Sequence, residues 1–380
     1  MVILMLGYFK TPPGRRIHAR VMWIIGAAAI LFAVLFLLFY AAIGAKAAAV
    51  PGTDAAQRWA AADSVYPFAQ LSVYFDTDAA VNLNRIYLNR MEITKSLEQN
   101  AVTTPEGAQP FIDAFSGETT VSVTTERASL SVTATVCGGS FFFFHPVSLI
   151  DGGYFDENDV TVNAVILDEY AAWQLFGATE VAGMEVTIGG QPFCVTGVSA
   201  APTDPVEKAA YGDSPRVYIH YTGMRMVTGY DRAVCYEIVI PNPISGFAAD
   251  LVGKQFGITD TSKNAVLYDF TERFDFEVLA AQTKDYFMRA MKTDSVIPPY
   301  WENVARVAEN EAVVLAFFGA VTGILALILF IIFVSLWFWI HPVRIRDIFG
   351  LIDDKIEAVR MKHWLKKQQA SAAISENGQS

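Results

Sequence analysis

Charged residues are scarce in this 380-residue chain, 18% of it, against about 25% in an ordinary soluble protein. Basic residues are the scarcer sign, 28 against 39 acidic, for a formal net charge of −11. No basic domain stands out, which argues against a nucleic-acid binder. Three cysteines and five histidines do not make a small disulfide scaffold or a zinc cluster. No Gly-x-x-x-x-Gly-Lys-Ser/Thr phosphate loop occurs, so any ATPase must be a separate chain. Nor is there a Gly-x-Ser-x-Gly nucleophile elbow. No catalytic residue, resident metal or cofactor is therefore expected of this chain. Internal repeats and low-complexity stretches are also missing.

Apolar residues, by contrast, make up 53% of the chain, and two uncharged runs hold the excess. Val21 to Ala45 and Ala312 to Ile340 span about 37 and 43 Å as helices, against a hydrocarbon core of about 30 Å. Both are long enough to be transmembrane helices. The small residues Gly44 to Ala49 offer a signal-peptide cleavage point, but a signal's apolar region is only about 7–15 residues long. A retained anchor is expected.

Charge sets the expected topology. Residues 1–20 carry Lys10, Arg15, Arg16 and Arg20 and no acid, and residues 341–380 carry seven basic residues against five acidic ones. Between them, residues 21–340 hold 17 basic and 34 acidic residues, a net of −17. Positive flanks stay inside. The expected organisation is a cytoplasmic N-terminus (1–20), a first span (21–45), an extracytoplasmic domain (46–311), a second span (312–340) and a cytoplasmic tail (341–380). The location is the plasma or inner membrane, multi-pass, with both termini cytoplasmic.

The middle segment reads as α+β. Ala47 to Gly52 is a short flexible exit, and Asp54 caps a helical stretch through Ala62. Leu71 to Phe75 alternates as a strand, Ala79 to Gln99 has helical spacing, and Thr119 to Thr125 pairs with Ser129 to Val136. Val160 to Leu167 is a strand, and Asp168 to Phe176 a helix capped by Asp168 and Gly177. Met184 to Ile188 and Pro192 to Val198 form a hairpin over Gly189-Gly190. Further strands are expected at Arg216 to His220, Ala233 to Ile240 and Ala265 to Asp269, and a helix at Ile244 to Phe256. Phe276 to Met291 and Pro299 to Glu311 read as helices leading straight into the second span. The order suggests an α/β subdomain interrupted by a β-rich insert at about 137–230.

Three stretches carry a family resemblance. They are Cys137-Gly-Gly-Ser-Phe-Phe-Phe-Phe-His145-Pro with Leu149-Ile-Asp-Gly-Gly-Tyr-Phe155, then Val165-Ile-Leu-Asp-Glu-Tyr-Ala-Ala-Trp-Gln-Leu-Phe-Gly177, then Gly183 to Val198. Together they resemble the extracytoplasmic core of MacB-like ABC transporter permeases. The resemblance implies a porter-like α/β subdomain with a β-rich insert, here flanked by the two transmembrane helices expected from the uncharged runs. It also implies ATP-driven export, or mechanotransmission of ATPase strokes across the membrane. Val343 to Ile352 is similar to the stretch after the second span of FtsX-like permeases, which docks on the ATPase. That makes Arg344, Arg346, Ile348, Phe349 and Ile352 candidate ATPase-coupling residues. The helical spacing of the apolar residues there fits equally an amphipathic helix on anionic lipid.

The implied partners are an ABC ATPase subunit, which would use the ATP, and a second permease chain or a homodimer. Nucleic acid is not a partner. These permeases usually have four spans and this chain has two, which fits half of a split permease. It fits equally a non-transporting, membrane-anchored extracytoplasmic binding or scaffold protein.

Smaller features keep two readings each. Gly319 and Gly323, in a row with Ala312, Ala316 and Ala320, would let a neighbouring helix approach, or reflect ordinary membrane-helix composition. Phe141 to Phe144 are core rings or an exposed patch. Asp151, Asp156 and Asp159 are turn residues or a calcium site. Cys137, Cys194 and Cys235 permit one disulfide or three buried thiols. Of the histidines, only His145 and His220 lie in the extracytoplasmic segment, and neither belongs to a nucleophile constellation.

Overall fold

The first uncharged run lies inside helix α1, Pro13–Ala48, and the second inside α10, Tyr300–Ile340. Both are long and apolar enough to cross a membrane. The computed structural model describes residues 13–60, 64–102, 109–259, 262–288, 299–340 and 361. Two compact units result: Phe39–Phe317, and Met1–Leu38 together with Phe318–Ser380.

In the smaller unit the two helices run antiparallel. His18 meets Trp339 edge-on with centroids 5.1 Å apart, and Trp23 lies 5.9 Å from Phe333. Further along, a Cβ added at Gly26 would stand 2.9 Å from the Phe333 ring, and one added at Gly323 would stand 3.2 Å from Phe36. Met22, Ala19 and Ile340 form a small buried cluster. Ile24, Ile30, Leu37, Ile324, Leu327 and Phe330 turn outward, a distribution suited to lipid rather than water.

Among the described residues, the larger unit is built on one ten-stranded sheet. Its strands are β1 Phe68–Phe75, β2 Ile112–Thr124, β3 Ser129–Gly139, β4 Leu149–Gly152, β5 Ala164–Asp168, β6 Glu185–Ile188, β7 Gln191–Ser199, β8 Arg216–His220, β9 Cys235–Pro241 and β10 Ala265–Asp269. The helices between α1 and α10 are α2 Ala55–Trp59, α3 Leu83–Gln99, α4 Phe141–Phe144, α5 Glu169–Phe176, α6 Pro205–Tyr211, α7 Tyr221–Thr228, α8 Phe247–Phe256 and α9 Phe276–Gln282. Strand order is β10-β1-β9-β2-β3-β8-β5-β7-β4, with β6 pairing both β2 and β7. The strands β2, β3, β8, β5, β7 and β6 thus pair in a closed ring, while β10, β1 and β9 extend from β2 as an open, antiparallel wing.

β2 serves both parts. Ile112 to Ser116 pair with β9, and Val123 and Thr124 pair with β6. The β-rich part therefore begins within β2, ahead of residue 137, which lies inside β3. The physical reason is length: a 13-residue strand outlasts its neighbour in the wing and continues into the ring.

Local signals explain most elements. Asn82 caps α3 by accepting from Arg85 N at 2.9 Å, and Leu83, Ile86, Ile93 and Leu97 bury its apolar face. Asp168 caps α5 by accepting from Ala171 N at 2.6 Å, and Gly177 ends it in the left-handed region. Gly189 and Gly190 both have positive φ in the β6–β7 hairpin, as a type I′ turn requires. The helix after Asp54 stops at Trp59, where Ala60 turns extended; Asp54 pairs with Arg58 Nε at 2.8 Å rather than capping, and Ala61 and Ala62 lie outside the described residues. Of the helix expected from Phe276 to Met291, the described part is α9 followed by the 3₁₀ turn Thr283–Met288, and residues 289–291 lie outside the described residues.

The wing has two unlike faces. On one, α8 lies on β1 and β10 beside α3, over Leu71, Val73, Tyr236, Ile238 and Ile240. On the other, α2 and α4 cover Ile112, Ala114 and Val239. Because side chains alternate along a strand, Gln70, Ser72 and Glu237 fall on this second face. Phe141, Phe142 and Phe144 are core rings here, and Phe143 is half-buried. All three cysteines are free thiols, and burial pushes Cys137 and Cys235 well up from the ordinary thiol range.

Candidate functional site

The polar residues of the second face meet the start of α10. Ser72 and Glu237 are partners in register across β1 and β9, and Ser72 Oγ donates to Glu237 Oε1 at 3.2 Å. His145 Nε2 pairs with Glu237 Oε2. The His145 ring lies 4.5 Å from Trp301 of α10, whose ring also meets Phe141 edge-on at 5.4 Å.

Three consecutive residues of α10 anchor it in three directions. Trp301 takes the aromatic contacts just given. Tyr300 reaches the ring: its hydroxyl stands 2.6 Å from that of Tyr218, and the Arg216 guanidinium lies 4.5 Å over its ring. Burial raises the Tyr300 phenol to about 12, so it stays a neutral hydrogen-bonding group. Arg216 itself pairs with Glu118 and donates to Thr135 Oγ1 at 3.0 Å. Its backbone N–H donates to Asp168 at 2.7 Å.

Glu302 makes the third anchor. Arg273, in the turn after β10, grips it bidentately: Nη1 donates to Oε2 at 2.7 Å and Nη2 to Oε1 at 2.9 Å. Arg273 Nε donates to Glu309 at 3.0 Å, and Arg306 Nε donates to Glu302 at 2.8 Å. Glu302, Arg306 and Glu309 recur at spacings of four and three, so they share one face of the helix. Burial works against the Arg273 charge, yet Glu302 and Glu309 hold its proton above the ordinary guanidinium range. Two buried carboxylates and two guanidinium groups balance. Such a cluster is directional, and leaving one member unpaired costs about 3–5 kcal/mol.

The exit from α1 is also fixed. It was expected to be flexible, but Gln70 Nε2 donates to Gly52 O at 2.8 Å and Thr53 Oγ1 to Val50 O at 3.1 Å. Gly52 has φ +84°, and a Cβ there would collide with Phe144 O. Lys46, near the end of α1, pairs with Glu311 of α10. Ala312, Val313 and Ala316 bury against Ile43 and Leu279.

Arg344, Arg346, Ile348, Phe349 and Ile352 lie outside the described residues. Gly323 faces Phe36 as given above, and the buried Gly319 accepts from Thr322 Oγ1 at 2.9 Å. Asp159 accepts from Asp156 N at 2.8 Å within a turn, whereas Asp151 accepts from Ala182 N at 2.8 Å across 31 residues. His220 Nε2 lies 3.2 Å from Asp156 O, and burial lowers its pKa. The foot of α10 (Tyr300, Trp301, Glu302 and their partners) was missed in the sequence. The Glu-Arg-Glu spacing just past an aromatic helix start was its one visible signal.

Residues 29–240, more than half of the chain, match the family described as MacB-like periplasmic core domain. A 96-residue stretch is 34% identical to the macrolide export ATP-binding/permease protein MacB of Agrobacterium fabrum (strain C58 / ATCC 33970), taking in 24% of this chain. The stretch covers 15% of that relative's length. Among solved structures, the periplasmic region of MacB from Actinobacillus actinomycetemcomitans is similar at 14% identity and a TM-score of 0.39, over 59% of this chain and 94% of that one. The extracellular domain of the noncanonic ABC-type transporter YknZ from Gram-positive bacteria is similar at 15% identity and a TM-score of 0.36, over 52% of this chain and 99% of that one.

Proposed function

This chain belongs to the MacB-like periplasmic core domain family, and from that premise we propose that it is a permease-type subunit of an ABC transport or mechanotransmission system. It is a membrane protein. In this reading α1 and α10 span the bilayer, both termini are cytoplasmic, and residues 46–311 stand outside. A separate ATPase subunit hydrolyses ATP and binds the tail at Arg344, Arg346, Ile348, Phe349 and Ile352. Gly319 and Gly323 lie in the seam where the second span packs.

One observation supports the relay above the others. The anchored residues Tyr300, Trp301 and Glu302 and the apolar run 312–340 belong to one uninterrupted helix, Tyr300–Ile340. A displacement of the span along its axis would act directly on His145, on β8 and on the turn after β10. Each of these holds or touches an anchor through an aromatic contact or a charge-assisted hydrogen bond, which resist displacement better than a loop does. The domain's part is mechanical: it changes shape toward substrate or an accessory protein when the ATPase closes.

The test is affinity purification of the full chain in detergent. An ABC ATPase is expected to copurify, and the triple variant Arg344→Ala, Arg346→Ala, Phe349→Ala to lose it. Recovery of the folded chain with no ATPase, and no effect of the triple variant, would leave the anchored binding or scaffold protein as the better account.

A further inference from the structure

One stripe of α10 is unlike the anchored face. Tyr300, Val304, Val307, Glu311 and Val314 recur at spacings of four and three, so they line one side of the helix. Val307 and Val314 are among the exposed large apolar residues. Two clefts open along this stripe. The upper one, of about 560 Å³, runs from Trp301 to Glu311 along α10 and is walled opposite by Val147, Ala201 and Val206. The lower one, of about 490 Å³, runs from Val307 to Val314 and Leu315. They share Lys46, Val307 and Glu311. The lower cleft thus reaches into the apolar run, and the upper cleft continues it to the foot. The Lys46–Glu311 ion pair stands at the threshold between them.

The chemistry along this route is graded. On the α10 side Val304, Val307 and Val314 suit a hydrocarbon chain, while the facing wall of the upper cleft adds Ser148, Thr203, Asp204 and Glu207 to its apolar residues. The ion pair is half-exposed and offers both signs to a polar head. At the far end the buried Trp301 Nε1–H has no hydrogen-bond partner among the described residues. An unsatisfied buried donor is unfavourable unless something accepts from it. Each volume lies within the range of about 300–1,000 Å³ typical of small-molecule sites.

We infer that the two clefts form a binding site for a bilayer amphiphile, its acyl chain lying along the Val304–Val307–Val314 stripe and a hydrogen-bond-accepting oxygen reaching Trp301. The inference rests on the membrane part of the proposed reading and not on the ATPase. It gives the domain a ligand drawn from the adjoining leaflet, held by the same helix that carries the foot.

The test uses the full chain in phosphatidylethanolamine/phosphatidylglycerol nanodiscs doped with phosphatidylglycerol bearing a diazirine in its acyl chain. Irradiation and peptide mass spectrometry locate the adducts. Adducts are expected at Val304 and Val307 and on the facing wall near Ala201, beside the reference adducts at Ile324 and Leu327. Ala308→Trp fills the upper cleft and is expected to cut its adducts about tenfold or more with the reference adducts unchanged. Ala201→Trp fills the cleft from the opposite wall and reads the same if Ala308→Trp does not fold. Trp301→Phe keeps a ring and loses the donor, and is expected to reduce the upper adducts about fivefold. Adducts confined to Ile324 and Leu327, or upper-cleft adducts indifferent to both tryptophan variants, would overturn the site. A cleft labelled by a diazirine fatty acid added from solution, but not by the phospholipid, would overturn its bilayer source. Missing reference adducts would show instead that the membrane reading is at fault.

Discussion

Two arginines in the larger unit, Arg90 half-buried and Arg273 buried, have similar partners and different situations. Arg90 of α3 donates to Asp113 at 2.7 and 2.8 Å and to Glu157 at 2.9 and 3.1 Å, with Tyr236 donating to Asp113 at 2.8 Å. Arg273 likewise holds two carboxylates, Glu302 and Glu309. The first cluster ties α3, β2 and the loop at Glu157 together, all within the domain. The second ties the domain to a helix whose other end is an apolar run long enough to cross a bilayer. Burial differs too: the Arg90 side chain is 20% exposed and that of Arg273 4%. The same chemistry thus serves once as an internal brace and once as a joint, and the joint is the drier of the two.

Substitutions can break or sharpen this contrast. The largest effect is expected from Arg273→Ala, which takes the shared guanidinium away from the buried carboxylates of Glu302 and Glu309. It should lower the stability of the full chain in detergent by about 3–5 kcal/mol, read by denaturant unfolding. Arg90→Ala should destabilise by less, about 1–3 kcal/mol, because water reaches its carboxylates more readily. If Arg90→Ala proves the more damaging, the joint is not the tighter cluster. Tyr300→Phe removes one hydroxyl from the pair with Tyr218 and should reduce stability by about 1 kcal/mol. An unchanged midpoint would mean that this anchor contributes packing alone.

The smallest effect concerns pH and belongs to the ring rather than the joint. Burial lowers the pKa of His220 in the folded chain. The unfolded chain therefore binds the proton more readily. This residue's contribution is fully present above the unfolded value of about 6.5 and is lost as pH falls through the lower, folded one. Stability between pH 7 and 5 should therefore decline by at most about 1.4 kcal/mol per pH unit on this account. His220→Gln should flatten that part of the slope, and an identical slope would assign it to other groups.

How much of this was legible in the sequence depended on distance along the chain. The two long helices, the caps Asp168 and Gly177 and the Gly189-Gly190 hairpin were readable because each is written within a few neighbouring residues. The ring was not, because its closure depends on Val123 meeting Ile188 and on β3 running parallel to β8. No periodicity records such pairings. The joint was harder still. Arg273 meets carboxylates 29 and 36 residues away, and Glu237 meets His145 across 92. A turn arginine beside an acidic helix face looks in sequence like any solvated charge. The exit at Gly52 misled for a related reason: small residues suggested freedom, while the fold uses the missing Cβ to bring the turn against Phe144.

The central claim is that α10 carries motion between its apolar run and the foot. The most direct test inserts three glycines after Asn310, between Glu309 and the apolar run, in the full chain purified in nanodiscs with the ATPase proposed to bind it. Hydrogen exchange is then followed with and without ATP. The account predicts that ATP changes amide protection around His145, in β8 and in the turn after β10 of the parent chain, and that the insertion abolishes the change while the ATPase stays bound. An ATP-dependent change that survives the insertion would contradict it.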